Sequence, residues 1–282
     1  IVFFSGVADV ISGVPQGSVL GPVLFLIFIS DIDFVCFGNT VSQLFPDDLK
    51  LYSSVTVTTS SLSLQQSIDK RVEWSDKWQL AINIGKCAVL TLGSRHGRIA
   101  SNYFINNVKL LNADSVVDLG ILTDNVLSYH AHIHNIVVKA TQRVGVLFRG
   151  FMSRELKFLR KAFITYVRPV LEYNSCVWNP HHKEYIALLE NVQRRFTKRI
   201  PSLRSMSYPE RLAMIDLEPL ELRRLRTDLN EYYKCFHNLN SFNYTEHFNF
   251  YIPHAASRSS SPKLVKPVKA NNNVMCSFLS SS

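Results

Sequence analysis

Apolar and polar positions follow different periods along the chain, and the changes of period mark its elements. From Ser12 to Gly21 it reads SGVPQGSVLG, a loop rich in Gly and Pro. PVLFLIFISDI follows as an apolar helical segment of about three turns. Val41 to Leu44, an Asp pair, and then Lys50 to Val57 read as strand, tight turn and strand. Leu62 to Ala81 carries Leu64, Ile68, Val72, Trp74, Trp78 and Leu80 largely at helical spacing, with Ser61 or Ser63 as the N-cap. Cys87 to Leu92 and Val116 to Leu122 read as short buried strands. Ile133 to Gly150, Glu155 to Tyr173, Glu184 to Arg199 and Glu221 to Leu239 read as helices. The pattern thus predicts an α+β chain, with a strand-containing unit over 1–125 and an all-helical unit over 126–240. Residues 241–282, ending in a Ser-, Lys- and Asn-rich stretch, have the composition of a disordered tail.

Composition changes this picture little. A 282-residue chain with 46% hydrophobic residues can bury real cores. The longest nearly unbroken apolar run, Val19 to Ile29, holds Gly21 and Pro22 and is too short to span a bilayer. No N-terminal signal peptide is visible, and because the first residue is Ile1, the chain is expected to be a piece of a longer product. Cys36, Cys87, Cys176, Cys235 and Cys276 are scattered without a C-x-x-C pair. That speaks against a zinc site, a disulfide framework or a disulfide-linked partner, and suits a reducing compartment.

Charge is more informative. Residues 1–138 carry 8 Lys and Arg against 11 Asp and Glu, whereas residues 139–226 carry 18 against 8. The basic segment is either a solvated helical surface or the electrostatic footprint of a phosphate-backbone binder. Arg194, Arg195, Lys198 and Arg199 recur at i, i+1, i+4 and i+5 and make a stripe along one helix. Arg223, Arg224 and Arg226 add a second cluster.

The stretch SQLFPDDLKLY, Ser42 to Tyr52, is the sharpest local feature. Its adjacent carboxylates, Asp47 and Asp48, are poor strand formers. They mark either a solvated turn or a hairpin tip that presents oxygen ligands to Mg²⁺. His130, His132 and His134 lack a carboxylate or thiolate at ligand spacing and are set aside as a metal site. The pair His181-His182 reads as a loop before a helix. Trp74, Trp78 and Trp178 read as core residues rather than as base-stacking platforms.

Taken together, SGVPQGSVLGPVLFLIFISDI (Ser12 to Ile32) and LFPDDLKLY (Leu44 to Tyr52) resemble the palm of reverse transcriptases from non-LTR (LINE-type, jockey-like) retrotransposons. SLQQSIDKRVEWSDKWQLAINIGKCAVLTLG and VVDLGILTDNVLSYHAHI extend the resemblance. YVRPVLEYNSCVWNP, ENVQRRFTKRI and YPERLAMIDLEPLELRRLRTDLNEYYKCF carry it through the helical half. It implies a partial polymerase palm over 1–125, a helical thumb and extension over 126–240, and RNA-directed DNA polymerase activity by a two-metal mechanism. On this resemblance Asp47 and Asp48 are catalytic ligands of Mg²⁺ or Mn²⁺. Lys86 assists pyrophosphate departure, Gln16 and Gly17 pack on the incoming nucleotide, and Leu119 and Gly120 grip the primer end. The implied partners are an RNA template, a DNA primer and deoxynucleoside triphosphates, with no membrane. The implied location is an intracellular ribonucleoprotein, nuclear and cytoplasmic.

Two departures from the family pattern qualify these expectations. The family has a third metal-binding aspartate on an earlier strand, and only eleven residues precede Ser12. The fingers region and that aspartate are thus expected to lie outside this chain, which by itself is expected to be inactive. Secondly, Pro46 stands where the family usually has Ala, and is expected to displace the carboxylates. The alternative function is a non-catalytic nucleic-acid-binding remnant of such an element.

Overall fold

The chain divides between Asp114 and Ser115, giving the units Ile1–Asp114 and Ser115–Ser282. The computed structural model describes residues 13, 17–32, 36–46, 48–54, 58–93 and 101–240, with two short segments at 250–251 and 263–264. The division falls ahead of the residue-125 boundary read from the pattern. Its physical reason is that the strands after Ser115 are bonded to the helices that follow, as shown below.

In the first unit, α1 (Gly21–Ile29) has Pro22 in its first turn, where a missing N–H costs nothing. The Gly21 N–H is accepted by Ser18 Oγ at 3.0 Å. Strands β1 (Val41–Phe45) and β2 (Asp48–Tyr52) pair antiparallel, from Val41↔Tyr52 to Phe45↔Asp48. The next helix, α2 (Thr58–Trp78), begins upstream of Ser61 and Ser63, so neither is its N-cap. The Ser63 carbonyl instead accepts the Ser67 hydroxyl at 2.8 Å, inside the helix. Ser67 Oγ in turn accepts the Phe37 N–H at 3.0 Å, anchoring the segment before β1.

Three further strands escaped the sequence reading, because elements of two or three residues are too short to show a period. Strand β3 (Ala88–Leu90) pairs parallel with β6 (Leu111–Ala113), and β4 (Phe104–Ile105) pairs antiparallel with β5 (Val108–Lys109). The β4–β5 turn places Asn106 and Asn107 at φ of 48° and 64°, a left-handed conformation that Asn tolerates. Ile68, Tyr103, Ile105 and Leu110 form the core of this unit. Gln65 on α2 accepts the Phe104 N–H through Oε1 at 3.0 Å and donates Nε2–H to the Phe104 carbonyl at 2.9 Å. Phe28 packs edge-on against Trp78 with centroids 5.4 Å apart, and Trp74 Nε1–H donates to Asp31 at 2.9 Å.

The second unit opens with β7 (Ser115–Asp118) and β8 (Ile121–Asp124), an antiparallel hairpin rather than one buried strand. Val117 on it is 71% exposed. Helix α3 (His130–Gly150) buries Ile133, Ile136, Ala140, Val144 and Leu147, the single stripe its spacing predicts. The helix expected from Glu155 to Tyr173 is interrupted: α4 (Leu156–Ala162) passes through a π turn at Phe163–Val167 into α5 (Arg168–Glu172). Pro169 explains the break, since it lacks the N–H that would bond the carbonyl four residues back. The Tyr166 carbonyl at the π turn accepts Arg143 Nη1–H at 2.9 Å. Helices α6 (Ser175–Trp178), α7 (Lys183–Lys198), α8 (Tyr208–Ile215) and α9 (Leu220–Phe236) complete the unit. Its core runs through Phe163, Trp178, Leu189, Phe196 and Leu220, each essentially inaccessible. The unpredicted α8 carries a full capping box, in which Glu210 accepts the Ser207 N–H at 2.7 Å.

One buried carboxylate joins three of these helices. Glu190 of α7, 7% exposed, accepts the Leu220 N–H at 2.9 Å and thereby caps α9, whose own N-cap is Pro219. It also accepts the Tyr208 hydroxyl at the start of α8. Burial, followed by that bond to a carboxylate, pushes the Tyr208 phenol well above its ordinary pKa. Gln193 donates Nε2–H to the Tyr208 hydroxyl at 3.1 Å and to the Glu218 carbonyl at 2.9 Å.

The β7–β8 hairpin is tied to α3 by a histidine. His132, 4% exposed, accepts the Leu122 N–H on Nδ1 at 3.2 Å, which requires the neutral ring. Burial, and then the Lys139 charge, lower its pKa.

Residues 241–282, read as a disordered tail, lie outside the described residues except for the antiparallel pair β9 (Phe250–Tyr251) and β10 (Lys263–Leu264). The four described cysteines, Cys36, Cys87, Cys176 and Cys235, are free. No described helix is long and apolar enough to cross a membrane.

Two predictions follow from this packing. Glu190→Ala strands a buried N–H and a buried hydroxyl and should cost about 3 kcal/mol in urea unfolding. Glu190→Gln, which keeps an acceptor, should cost clearly less; equal losses would refute the capping role. His132, with a folded pKa below its unfolded one, contributes stability that is complete above about pH 6.5. That contribution is lost as pH falls through the lower folded value. Unfolding between pH 7.5 and pH 5 should show a stability loss that His132→Asn, whose Oδ1 can replace Nδ1, reduces. The same pH slope in both proteins would exclude His132 as its source.

Candidate functional site

The β1–β2 hairpin presents the acidic stretch. Its last pair, Phe45↔Asp48, leaves Pro46 in the turn, and Asp48 is exposed at the start of β2. Asp47 lies outside the described residues. The first residue of a two-residue turn needs no N–H for the ladder, so Pro46 removes no strand bond. Its fixed φ does exclude the primed turns usual in such hairpins. Alternation puts Asp48 on one face with Phe45, Gln43, Lys50, Val41 and Tyr52. Phe45 and Tyr52 are 58% and 48% exposed, whereas Leu51 of the opposite face packs on the core. The carboxylate therefore stands on the open face of the ribbon.

Of the other predicted residues of this unit, Gly17 and Lys86 are described, and both lie in turns. Gly17 has φ of 84° with open space where a Cβ would stand, a conformation natural only to glycine. Gln16 lies outside the described residues. Lys86 is exposed at the end of a 3₁₀ turn, Ile84–Lys86, just ahead of β3. Among the described residues no group of three or more His, Cys, Asp or Glu side chains is placed to hold a metal ion.

In the second unit, Leu119 and Gly120 form the two-residue turn between β7 and β8, with φ of 44° and 85°. The Leu119 carbonyl accepts the Tyr173 hydroxyl at 3.1 Å. At the end of β8, Asp124 accepts N–H groups from Val126 at 3.0 Å and Ser128 at 2.9 Å, and the Ser128 hydroxyl as well. Burial opposes ionisation of Asp124, but these bonds outweigh it and hold its pKa below the usual value.

Arg194, Arg195, Lys198 and Arg199 are all exposed near the C-terminal end of α7. Cations there also favour the helix dipole. Two of them have a second engagement. The Arg194 guanidinium lies 4.3 Å from the Tyr208 ring centroid, and that of Arg199 lies 4.4 Å from the Phe148 ring. Arg195 and Lys198 remain the exposed cations that no ring covers.

The expected second cluster is not a cationic surface. Arg223 makes a bidentate pair with Glu172 at 2.5 and 3.0 Å, and Arg226 another with Glu218 at 2.8 and 2.8 Å. Arg224 is 1% exposed and donates Nε–H to Asn179 at 3.0 Å. Its guanidinium pKa is lowered, first by burial. The histidines set aside as ligands occur in an aromatic seam, where His130 stacks on Tyr185 at 4.3 Å and His181 lies 4.2 Å from His182. Sequence reasoning missed His132 and Tyr173 as residues that fix the hairpin; neither belongs to a local motif, since their partners lie 10 and 54 positions away.

Comparison with known proteins gives these elements a context. The chain is 28% identical over 208 residues to the "RNA-directed DNA polymerase from mobile element jockey" of Drosophila funebris, and 31% identical over 208 residues to that of Drosophila melanogaster. Each match covers 70% of this chain and 22% of the relative. It is 24% identical over 199 residues to the "Probable RNA-directed DNA polymerase from transposon X-element" of Drosophila melanogaster, again covering 22% of that protein. The chain thus spans about a fifth of the length of the curated relatives it matches. No solved structure matches it. The family described as "Reverse transcriptase (RNA-dependent DNA polymerase)" matches residues 8–159, more than half of the sequence and a span that includes both the acidic hairpin and the Leu119–Gly120 turn. The chain belongs to the reverse transcriptase family.

Proposed function

We propose that this chain is the later part of a polymerase palm followed by the thumb and a helical extension, from a non-LTR retrotransposon reverse transcriptase. The protein it belongs to would copy RNA into DNA by template-directed transfer of deoxynucleotides to a primer 3′-hydroxyl. The observation that carries the reading is the β1–β2 hairpin, which sets the Asp47-Asp48 sequence at a turn and Asp48 on an open face, within the family-matched span.

The donors suit the metal that such chemistry uses. Solvent-facing carboxylate oxygens are hard ligands, and Mg²⁺ needs only one or two of them, because phosphates and water complete its shell. Asp47 and Asp48 would hold Mg²⁺ or Mn²⁺. When bound, the metal offsets the charge that develops on the phosphates during in-line displacement. The chain's own residues then have separate tasks. Gln16 and Gly17 pack against the incoming nucleotide, Lys86 supplies a cation toward the departing pyrophosphate, and Leu119–Gly120 supports the primer end. Arg195 and Lys198, with Arg194 and Arg199 beside them, meet the phosphate backbone of the RNA template or its duplex with the DNA primer. The expected location is an intracellular ribonucleoprotein.

The polymerase reading is tested in a chimera in which residues of this chain replace the matching segment of the Drosophila melanogaster jockey polymerase. It should extend oligo(dT) on poly(rA) with Mg²⁺ or Mn²⁺, and Asp48→Asn should abolish extension. Undiminished extension by that variant would refute the ligand role of Asp48. The 282-residue chain alone should extend nothing, since the family uses a third aspartate on an earlier strand that none of the segments matched to its motifs here supplies. Incorporation by the isolated chain that Asp48→Asn removes would overturn this.

Backbone binding makes a second prediction. Affinity for an RNA–DNA duplex should fall steeply with salt, and Arg195→Ala with Lys198→Ala should lower the log–log slope by about one to two. Anisotropy titrations on two unrelated sequences check it. An unchanged slope would mean that the stripe is only a solvated helix end.

A further inference from the structure

We propose that Tyr173 is a positioning residue, which holds the Leu119–Gly120 turn in the conformation that faces the primer end. The inference rests on the primer-gripping role proposed for that turn. It begins from a mismatch between residue and conformation. A two-residue turn with positive φ at both positions favours Asn, Asp or Gly at the first. The β4–β5 turn obeys this with Asn106-Asn107, whereas β7–β8 places Leu119 at φ of 44°. A leucine gains no local side-chain bond there, so the conformation must be held from outside the turn.

The holding contacts form a closed path. The Tyr173 hydroxyl donates to the Leu119 carbonyl at 3.1 Å. The Tyr173 ring lies beside Gly120, where an added Cβ would meet its Cε1 at 3.6 Å. Tyr173 is itself fixed, because its carbonyl accepts Trp178 Nε1–H at 2.9 Å. Trp178, 1% exposed, packs edge-on against His132 with centroids 5.4 Å apart. His132 Nδ1 accepts the Leu122 N–H at 3.2 Å, which returns the path to β8. The hairpin is therefore held at its tip and along β8 by groups that brace one another. Leu119, which is partly buried, is kept at the tip as an apolar contact of fixed direction. A turn that carries the primer's last nucleotide needs that constancy, since small misplacements of a reacting group cost rate steeply.

The test removes one oxygen. Tyr173→Phe keeps the ring, so the fold is preserved, and hydrogen exchange is followed residue by residue in the 282-residue chain. Amides from Leu119 to Leu122 should exchange about five-fold faster, as loss of one ordinary hydrogen bond implies. Amides of α7 should keep their rates. Adding Leu119→Asn, a residue at ease with positive φ, should return the hairpin to its original rates. Unchanged hairpin rates in Tyr173→Phe, or a double variant as fast as the single one, would overturn the proposal. A duplex with a photoreactive 3′-terminal primer nucleotide then tests the direction of the turn. The unmodified chain should cross-link within residues 115–124, and Tyr173→Phe should lower that yield several-fold at equal duplex affinity. If exchange responds as expected but no cross-link forms there, the primer-end role fails and Tyr173 is only a structural clamp.

Discussion

The helical unit depends on a carboxylate that has left water. Glu190 is removed from solvent yet keeps acceptors filled by the Leu220 N–H and the Tyr208 hydroxyl, so α7, α8 and α9 converge on one side chain. A buried charge is tolerated only with such partners. The arrangement also explains why Pro219 can precede α9: the cap that proline cannot supply comes from another helix. Because α7 bears Arg195 and Lys198, the same carboxylate fixes where the proposed phosphate contacts stand.

The balance of 18 cations against 8 anions over residues 139–226 overstates the basic surface. Much of that charge is internal bracing. Glu172 and Glu218 each hold an arginine through two bonds, Arg160 pairs with Asp216 at 2.5 Å, and Arg224 is buried. A sequence count cannot distinguish an arginine that meets solvent from one spent on a glutamate some fifty positions away. The stripe on α7 was legible because its residues share a helix face, a relation set by local geometry. The fate of Arg223 was not, because it depends on which helices meet, and Arg226 is met by Glu218 from the link before its own helix, where no helical spacing applies.

The same distinction governs the fold. α1, α3, α7, α9 and the β1–β2 hairpin were legible, being long enough to show a period or marked by a turn. α8 was missed although Ser207 and Glu210 spell a capping box, because Pro209 was not read as an early helix residue. The π turn was missed because Pro169 in a helical pattern signals a disturbance without naming its form. At the candidate site, the residue types and the turn at the Asp pair could be read along the chain, whereas the Leu119–Gly120 turn falls inside a stretch that the pattern presents as one buried strand. What holds Leu119 in its conformation could not be read, since Tyr173 reaches it, and His132 reaches Leu122, only after the chain has folded.

Gln65 has a consequence of another kind. Its side-chain amide bonds both the N–H and the carbonyl of Phe104, groups that point away from β5. It thus takes the place that a neighbouring strand would occupy. A strand edge with free backbone groups invites another chain to add to it, and proteins block such edges by covering them. Here the cover is a single amide carried by a helix. The outer edge of β4 is thereby closed to intermolecular pairing at Phe104 without a third strand.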